Sequence, residues 1–220
     1  MRINKFVAQA SGMSRRKADQ YIISGQVEIN KIIAQVGDQV NANDEVFLRG
    51  KRLLLPTEYT VLLLNKPVGY VSSRVGQGHK TVYDILPEKY NKLKLIGRLD
   101  KDSSGLILLT NNGELANKLT HPSFAKEKIY EIELNKALTS QDETKITSGQ
   151  VELEDGISKL VLKPLLNNRL NWQIKMSEGR NRQIRRTFEK LNYSVNKLHR
   201  TNFGEYSLAN LPSGEFREIA

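Results

Sequence analysis

The spacing of apolar and polar residues predicts a small first unit over residues 1–50. Residues 15–23 carry apolar side chains at i, i+3 and i+4, after Ser14 as an N-cap and before Gly25 as a C-terminal glycine. Alternating residues such as 27–29 then predict short strands separated by turn residues. We therefore expect helices followed by a few short strands.

From Tyr59 onward the apolar runs are longer and predict a second, strand-rich unit over residues 59–220, after a linker at residues 51–58 that contains Pro56. The predicted strands are 59–65, 93–97, 105–110, 128–134, several within 151–176, 193–208 and 216–219. The predicted helices are 81–86, 112–119, 140–146 and 180–191. A chain of helices and strands in this order indicates an α+β fold.

The composition excludes several classes of protein. Of 220 residues, 39% are hydrophobic, which is enough to form a core, and the longest apolar run, residues 61–64, is far too short to cross a bilayer. The N-terminus lacks the apolar segment of a signal peptide. Because the chain has no cysteine and only three scattered histidines, we expect neither disulfides nor a metal site. We expect a cytoplasmic protein that does not associate with membranes.

The charge distribution points to a polyanionic partner. Lys and Arg outnumber Asp and Glu by 34 to 24, a net charge of +10. Residues 180–200 contain seven Lys or Arg and a single acid, Glu189. Arg15, Arg16 and Lys17 lie in the first turn of a predicted helix, where the helix dipole disfavours cations. Cations at such a position indicate that they serve a ligand.

The first unit resembles the small RNA-binding module found in ribosomal protein S-four. The matching segments are RINKFVAQAS, SRRKADQYIISGQVEIN and VGDQV. The resemblance implies a structured RNA as partner but does not specify a reaction. The residues expected to bind RNA are Arg2, Arg15, Arg16, Lys17 and Lys31.

The polar segment from Gly97 to Gly105 lies between two apolar strands, and its residues allow two interpretations. Catalytic residues often lie on loops held by rigid strands, whereas Asp-Ser-Ser-Gly also suits an exposed hairpin turn. Asp100 and Asp102 could in principle serve phosphoryl transfer through an aspartyl phosphate. That chemistry needs Mg²⁺ and further acidic ligands, and the downstream motif is cationic instead.

This segment and three others, in order, resemble the ribosomal RNA pseudouridine synthases of the RsuA/RluB type. The segments are NKPVGY, GRLDKDSSGLILLTNNGELANKLTHPS, EKIY and EGRNRQIRR. The resemblance implies a mixed, mainly antiparallel β-sheet catalytic domain with flanking helices and a central cleft. Together with the first unit it covers nearly the whole chain.

The resemblance also implies roles for individual residues. Asp100 would be the essential catalytic aspartate, Arg98 would fill the gap left by a flipped nucleotide, and Tyr130 would stack on the target base. Arg185 would pair with Asp100 and keep its carboxylate ionised, since an unpaired carboxylate in an apolar site drifts toward protonation. Further substrate-binding residues would be Lys128, Arg180, Arg182, Gln183 and Arg186. The reaction is an isomerisation and needs no cofactor.

The choice of RNA target is left open by the sequence. Residues 120–123, 153–156 and 178–182 favour the large-subunit branch of the family, and hence 23S over 16S ribosomal RNA. A non-catalytic RNA-binding factor in ribosome assembly is the alternative of a different class. We expect a monomer, with free RNA or a pre-ribosomal particle as its substrate.

Overall fold

The computed structural model describes residues 1–219, which form a four-stranded sheet, then a nine-stranded sheet and a separate two-stranded sheet, with associated helices. The helices are α1 (Ile3–Ser11), α2 (Arg15–Ile23), α3 (Gly113–Thr120), α4 (Ser140–Ser148) and α5 (Gln183–Glu189). The strands are β1 (Val27–Ile29), β2 (Ile32–Ile33), β3 (Val46–Leu48), β4 (Lys51–Leu53), β5 (Val61–Lys66), β6 (Lys94–Ile96), β7 (Ser104–Thr110), β8 (Lys128–Leu134), β9 (Val151–Leu153), β10 (Gly156–Ser158), β11 (Val161–Pro164), β12 (Asn171–Met176), β13 (Val195–Phe203), β14 (Tyr206–Ser207) and β15 (Phe216–Ile219). Short 3-10 helices lie at Val82–Ile85, Glu88–Tyr90 and Pro122–Phe124.

The N-terminal unit packs α1 and α2 on a four-stranded sheet in the order β2-β1-β3-β4. The Ser14 side chain accepts a hydrogen bond from the Lys17 amide, as its predicted N-cap role requires. Strand β4 belongs to this sheet, although its residues fall within the segment 51–58 that the sequence indicated as a linker. Residues 54–60 form the connection to the second sheet.

The second sheet has nine strands, with the path β11-β12-β8-β13-β7-β5-β15 and with β14 and β6 added to β13 and β7. All of its pairings are antiparallel except that of β7 with β13. Residues of α4 and α5 pack in the core on one face, and α3 packs in a smaller core on the other. The predicted α+β class with a mainly antiparallel sheet and flanking helices is confirmed.

The parallel pairing of β7 and β13 depends on a glycine. Gly105 lies opposite Arg200 with a φ of +107°, and a Cβ at this position would lie 2.2 Å from the Arg200 carbonyl oxygen. Only glycine has the conformation and the space for this contact. The close approach brings the loop that precedes β7 next to β13.

The helix predicted over residues 180–191 is shorter in the structure. Arg182 has a φ of +46°, which is outside the right-handed helical region, and α5 therefore begins at Gln183. Residues 178–182 form a loop beside the second sheet. The predicted helix over 81–86 is a 3-10 turn instead.

Two polar contacts join the N-terminal unit to the second sheet. Lys5 on α1 forms an ion pair with Glu114 on α3 at 3.0 Å. Lys94 Nζ donates a hydrogen bond to the Met13 carbonyl oxygen at 2.8 Å. Within residues 1–219, no helix has both the length and the apolarity that a membrane span requires.

Candidate active site

A cavity of about 650 Å³ lies against the second sheet, beneath the loop at residues 97–103. Its floor comes from side chains of β8, β12 and β13, and its walls come from the loop 178–182 and the turn after α3. Tyr130, Met176 and Phe203 make the floor largely apolar, whereas Asp100 and several arginines bring charge to the wall.

The loop that carries Asp100 is held by residues from the segment that follows β5. The Ser72 hydroxyl donates to the Leu99 carbonyl oxygen at 2.7 Å and accepts from the Leu99 amide at 3.1 Å. The Gly69 amide donates to the Lys101 carbonyl oxygen at 2.8 Å. These bonds fix the backbone on both sides of Asp100.

Lys66 supports the same loop from below. Its side chain is fully buried, and Nζ donates to the carbonyl oxygens of Ser103 and Pro67 at 2.6 and 2.9 Å. Burial lowers the pKa of Lys66 to about 8, although the negative charges of Asp102 and Asp100 oppose the shift. The lysine therefore anchors the loop and adds positive charge beneath its two aspartates.

Arg182 is the cation that pairs with Asp100. Its Nη1 atom lies 3.5 Å from the Asp100 carboxylate and 3.3 Å from that of Asp102, so one guanidinium bridges both acids. The Asp100 side chain remains 37% exposed, so its carboxylate is accessible from the cavity that it lines. The left-handed backbone of Arg182 turns the chain at this point, immediately before α5.

The predicted ion pair between Arg185 and Asp100 is wrong in the structure. Arg185 pairs instead with the Asp102 carboxylate at 3.3 Å, and also donates to the Asp102 carbonyl oxygen at 3.0 Å and to that of Val195 at 2.6 Å. The reason is the start of α5 at Gln183, which places Arg185 under the end of the loop and leaves the side of the cavity to Arg182. Burial lowers the pKa of Arg185, and the negative charges of Asp102 and, to a smaller extent, Asp100 oppose that shift.

Three other predicted site residues line the cavity. Tyr130, on β8, is buried in the floor. Arg98 is exposed at the wall. Lys128 points at the loop 178–182, where its Nζ lies 3.4 and 3.3 Å from the carbonyl oxygens of Ser177 and Glu178. The structure thus gathers these three side chains around the cavity of Asp100.

Arg180, Gln183 and Arg186 are bound largely to protein groups. Arg180 and Arg186 both form ion pairs with Asp155, at 3.0 and 2.7 Å, and Arg180 also donates to backbone carbonyl oxygens at the start of β10. Gln183 is buried and bonds to Glu178. Their contacts hold the loop 178–182 against the β9–β10 hairpin, although Arg180 and Gln183 also line the cavity.

The cations predicted to bind RNA lie on the N-terminal unit, away from the cavity lining. Arg15, Arg16 and Lys17 form the exposed first turn of α2, and no acidic residue lies in that turn. Arg2 precedes α1, and Lys31 lies in the turn between β1 and β2; both are exposed. The structure therefore groups three of the five on one helix end.

Four residues of this region were missed by the reasoning from sequence: Lys66, Ser72, Asp102 and Arg200. Lys66 lies in the NKPVGY segment, whose match to the family was a signal that the residue has a role. Asp102 follows Asp100 by two residues, so the sequence already placed it close to the proposed catalytic residue. Ser72 and Arg200 had no local signal, because each depends on a contact with a distant part of the chain.

Among residues 1–219, no group of three or more His, Asp or Glu side chains is arranged to hold a metal ion. Asp100 and Glu178, the acidic residues that line the cavity, form ion pairs with Arg182 and Arg180.

Comparisons with known proteins agree with this architecture. Residues 60–190 match the family model of RNA pseudouridylate synthases, and residues 1–46 match the S4 domain. The chain is 38% identical over 224 residues to the dual-specificity RNA pseudouridine synthase RluF of Salmonella typhi, covering 99% of this chain and 75% of that protein. It is 35% identical to ribosomal large subunit pseudouridine synthase B of Bacillus subtilis, covering 99% of this chain and 91% of the relative.

A solved structure of a pseudouridylate synthase has the same fold. It superimposes with a TM-score of 0.71 at 30% sequence identity, over 100% of this chain and 96% of that one. The match extends over both the N-terminal unit and the nine-stranded sheet. The sequence, the fold and the elements that enclose the cavity all agree with these relatives. This chain therefore belongs to the RNA pseudouridylate synthase family, with an S4 domain preceding the synthase domain.

Proposed function

We propose that this enzyme converts a specific uridine of 23S ribosomal RNA into pseudouridine, with Asp100 as the essential catalytic residue. The observation that carries the proposal is the position of Asp100, which is accessible from a cavity of nucleotide-binding size and is paired with Arg182. The cavity, at about 650 Å³, lies within the usual range of about 300 to 1,000 Å³ for small-ligand sites. The large-subunit target is supported by the name of the Bacillus subtilis relative.

The cavity suits a nucleotide that has left its helix. A base inside a duplex cannot be reached, so an enzyme acting on it extrudes the nucleotide, at a cost of a few kcal/mol. The apolar floor with Tyr130 offers a stacking face for the uracil. Arg98, which is exposed at the wall, can contact phosphates and occupy the space that the base vacates.

The reaction requires no group beyond the protein and the RNA. The bond between N1 of uracil and C1′ of ribose breaks, the free base rotates in the cavity, and C5 bonds to C1′ while its proton is lost and N1 gains one. Asp100 acts on the ribose, either by attacking C1′ or by removing a ribose proton. Arg182 lies 3.5 Å from the Asp100 carboxylate and provides its counter-charge for either step.

The remaining site residues fall into two groups. Tyr130 and Lys128 line the floor and contact the substrate. Arg185 acts as a positioning residue, because its bonds to Val195 and Asp102 fix the end of the loop that carries Asp100. Arg180, Gln183 and Arg186 contribute through the loop 178–182, whose position sets that of Arg182.

The S4 domain supplies affinity for structured RNA. Arg15, Arg16 and Lys17 have no acidic neighbour in their helical turn, which leaves their charges available to phosphates. Arg2 and Lys31 extend the positive surface of the same domain. We propose that the enzyme acts as a monomer in the cytoplasm, on ribosomal RNA either free or in a pre-ribosomal particle.

The direct test is to map pseudouridine in 23S and 16S transcripts after incubation with the full-length protein. We expect one modified uridine in 23S RNA with the wild type and none with Asp100→Asn. Modification of 16S RNA alone would show that the small-subunit RNA is the target. Absence of any product from the wild type would favour the alternative of a non-catalytic RNA-binding factor in ribosome assembly. Because one relative is named dual-specificity, total RNA from cells lacking the gene should be mapped as well.

A further inference from the structure

Arg200 is a buried cation that no acid neutralises. Its side chain, on β13, is only 2% exposed, and no Asp or Glu of residues 1–219 forms an ion pair with it. Nε donates to the Leu106 carbonyl oxygen at 2.8 Å, while Nη2 is buried with no hydrogen-bond partner in the same part of the chain. A buried guanidinium in this condition is costly to the fold, which calls for a function.

The strand pairing places Arg200 in the centre of the cavity floor. It lies opposite Tyr130 of β8 on one side and opposite Gly105 of β7 on the other. A bulge between Arg200 and Asn202 returns Phe203 to the same face, and the Arg200 Cζ atom lies 4.8 Å from the Phe203 ring centroid and 6.0 Å from that of Tyr130. Arg200 thus lies between two aromatic rings, below the loop of Asp100.

The surroundings favour a base over a phosphate as the ligand of this guanidinium. Next to Arg200, the floor is formed mainly by apolar and aromatic side chains, which offer contact surface to a flat base but few hydrogen-bond donors to the oxygens of a phosphate. An exposed arginine is available to phosphates at the wall instead, at Arg98. A pyrimidine, in contrast, presents flat faces to the aromatic rings and carbonyl oxygens to a donor.

We propose that Arg200 donates hydrogen bonds from its Nη atoms to a carbonyl oxygen of the flipped uracil, and stabilises the negative charge that the base acquires as it leaves the ribose. This inference rests on the proposed function. When the N1–C1′ bond breaks, its electron pair stays with N1 and spreads onto O2 and O4. An electron pair of this anion then forms the new bond between C5 and C1′. C5 afterwards loses its proton to the solvent, and N1 takes one up.

The assignment holds whichever way Asp100 reacts. Attack on C1′ and removal of a ribose proton both leave the departing base with the electron pair of the broken bond. A fixed donor that meets charge present only in the transition state and intermediate speeds the reaction more than it tightens binding. Arg200 also lowers the pKa of Lys128, second in effect to burial of that lysine, so the floor has the positive potential that such an anion needs.

The first experiment compares Arg200→Gln and Arg200→Lys with the wild type in single-turnover reactions at saturating RNA. We expect Arg200→Gln to slow pseudouridine formation by about a hundredfold or more, the usual loss for a donor to a developing anion, while RNA affinity changes less than threefold. Arg200→Lys retains the charge and should recover part of the rate. Full activity in Arg200→Gln would overturn the proposal.

A second measurement separates this role from a structural one. RNA with 5-fluorouridine at the target position gives a base whose anion is stabilised by fluorine, so it depends less on Arg200. We expect the rate loss of Arg200→Gln, measured as cleavage of the glycosidic bond, to be at least tenfold smaller with 5-fluorouridine than with uridine. Equal losses on both substrates would contradict the proposal and leave Arg200 as a support of β7.

Arg169→Gln is the matched control, because Arg169 also binds a backbone carbonyl and lies against an aromatic ring, that of Trp172, but outside the cavity. This substitution should lower thermal stability. Any loss of rate that it causes should be by the same factor with uridine and with 5-fluorouridine. A wild type that forms no pseudouridine in any RNA would refute the proposed function itself. If the wild type is active and the Arg200 variants form pseudouridine at the same rate, only the role proposed for Arg200 is refuted.

Discussion

The Arg182 guanidinium bridges Asp100 and Asp102, lying 3.5 Å from the first carboxylate and 3.3 Å from the second. The cation beside the proposed catalytic acid therefore comes from the residue just before α5 and not from within the helix. Because Arg182 is exposed, its charge is partly screened by water, and the arrangement leaves Asp100 open to the ribose.

Replacing Asp100 by Asn should abolish the chemical step while leaving RNA binding intact. The substitution keeps the size of the side chain but removes the charge and basicity that act on the ribose. We expect turnover to fall at least about a thousandfold, as for other essential catalytic groups. Pseudouridine formation and RNA affinity should be measured on the same preparations. Asp102→Asn is the matched control, and a loss as large there would contradict the distinction between the two aspartates.

Arg182→Met and Arg185→Met should differ in their effects. Arg182 is exposed, so its loss should slow turnover by roughly ten- to a hundredfold, with little change in stability. Arg185 has an 11% exposed side chain that binds two backbone carbonyls, so its loss should lower the unfolding free energy by about 1 to 3 kcal/mol and abolish turnover. Turnover at saturating RNA and thermal unfolding of both variants test this. A stable, fully active Arg185→Met would refute its positioning role.

The buried Lys66 should make stability rise with pH in alkaline solution. Its pKa is about 8 in the fold and 10.5 when exposed, so between these values the unfolded chain binds more protons than the native one. Burial of Lys66 therefore lowers the unfolding free energy by a constant amount below pH 8, and this penalty disappears as the pH rises from 8 to 10.5. Relative to Lys66→Met, the unfolding free energy of the wild type should increase by up to about 3 kcal/mol across this window. Urea unfolding at several pH values measures it; parallel profiles of the two proteins would show that the lysine does not titrate there.

Gly105→Ala should disrupt the junction between β7 and β13. The new Cβ would meet the Arg200 backbone at 2.2 Å, and the φ of +107° is strained for alanine, so we expect a loss of roughly 3 kcal/mol or more. Gly69→Ala is the control, since its φ is +93° but no atom lies within 4 Å of a Cβ there. Thermal unfolding compares the two, and equal destabilisation would mean that backbone strain, and not the contact, requires the glycine.

Replacing Arg15, Arg16 and Lys17 together by alanine should weaken RNA binding without harming the fold. Three fewer phosphate contacts would reduce the slope of log K against log salt by about 2 to 3. The variant should also unfold at the same or a slightly higher temperature, because these cations oppose the dipole of α2. The exposed residues Lys92, Lys159 and Lys163, replaced likewise, provide the control. An unchanged salt slope in the α2 variant would contradict an RNA-binding role for these three residues.

Much of the fold could be predicted from local patterns. The bounds of α2, at Arg15 and Ile23, and those of β8 and β15 agree with the predicted ones, because capping residues and the alternation of apolar side chains act over a few residues. The loop between β6 and β7 was identified as a candidate site for the same reason. Its position between two apolar strands is visible in the chain.

The arrangement of the site could not be obtained in this way. Lys66, Ser72 and Arg185 reach the loop of Asp100 from segments 27 to 83 residues away, and no periodicity encodes such contacts. The prediction of Arg185 as the partner of Asp100 failed because Arg182, in a left-handed conformation just before α5, lies beside this acid, whereas Arg185 reaches Asp102.

Residue order alone was thus sufficient for the α+β class, most of the elements, the excess of positive charge and the resemblance to a family, since each of these depends on neighbours in the chain. The pairing of β7 with β13, the burial of Lys66 and Arg200, and the choice of Arg182 as the partner of Asp100 emerged only on folding. These features depend on distances between segments that are remote in sequence, and such distances are set by the packing of the whole sheet.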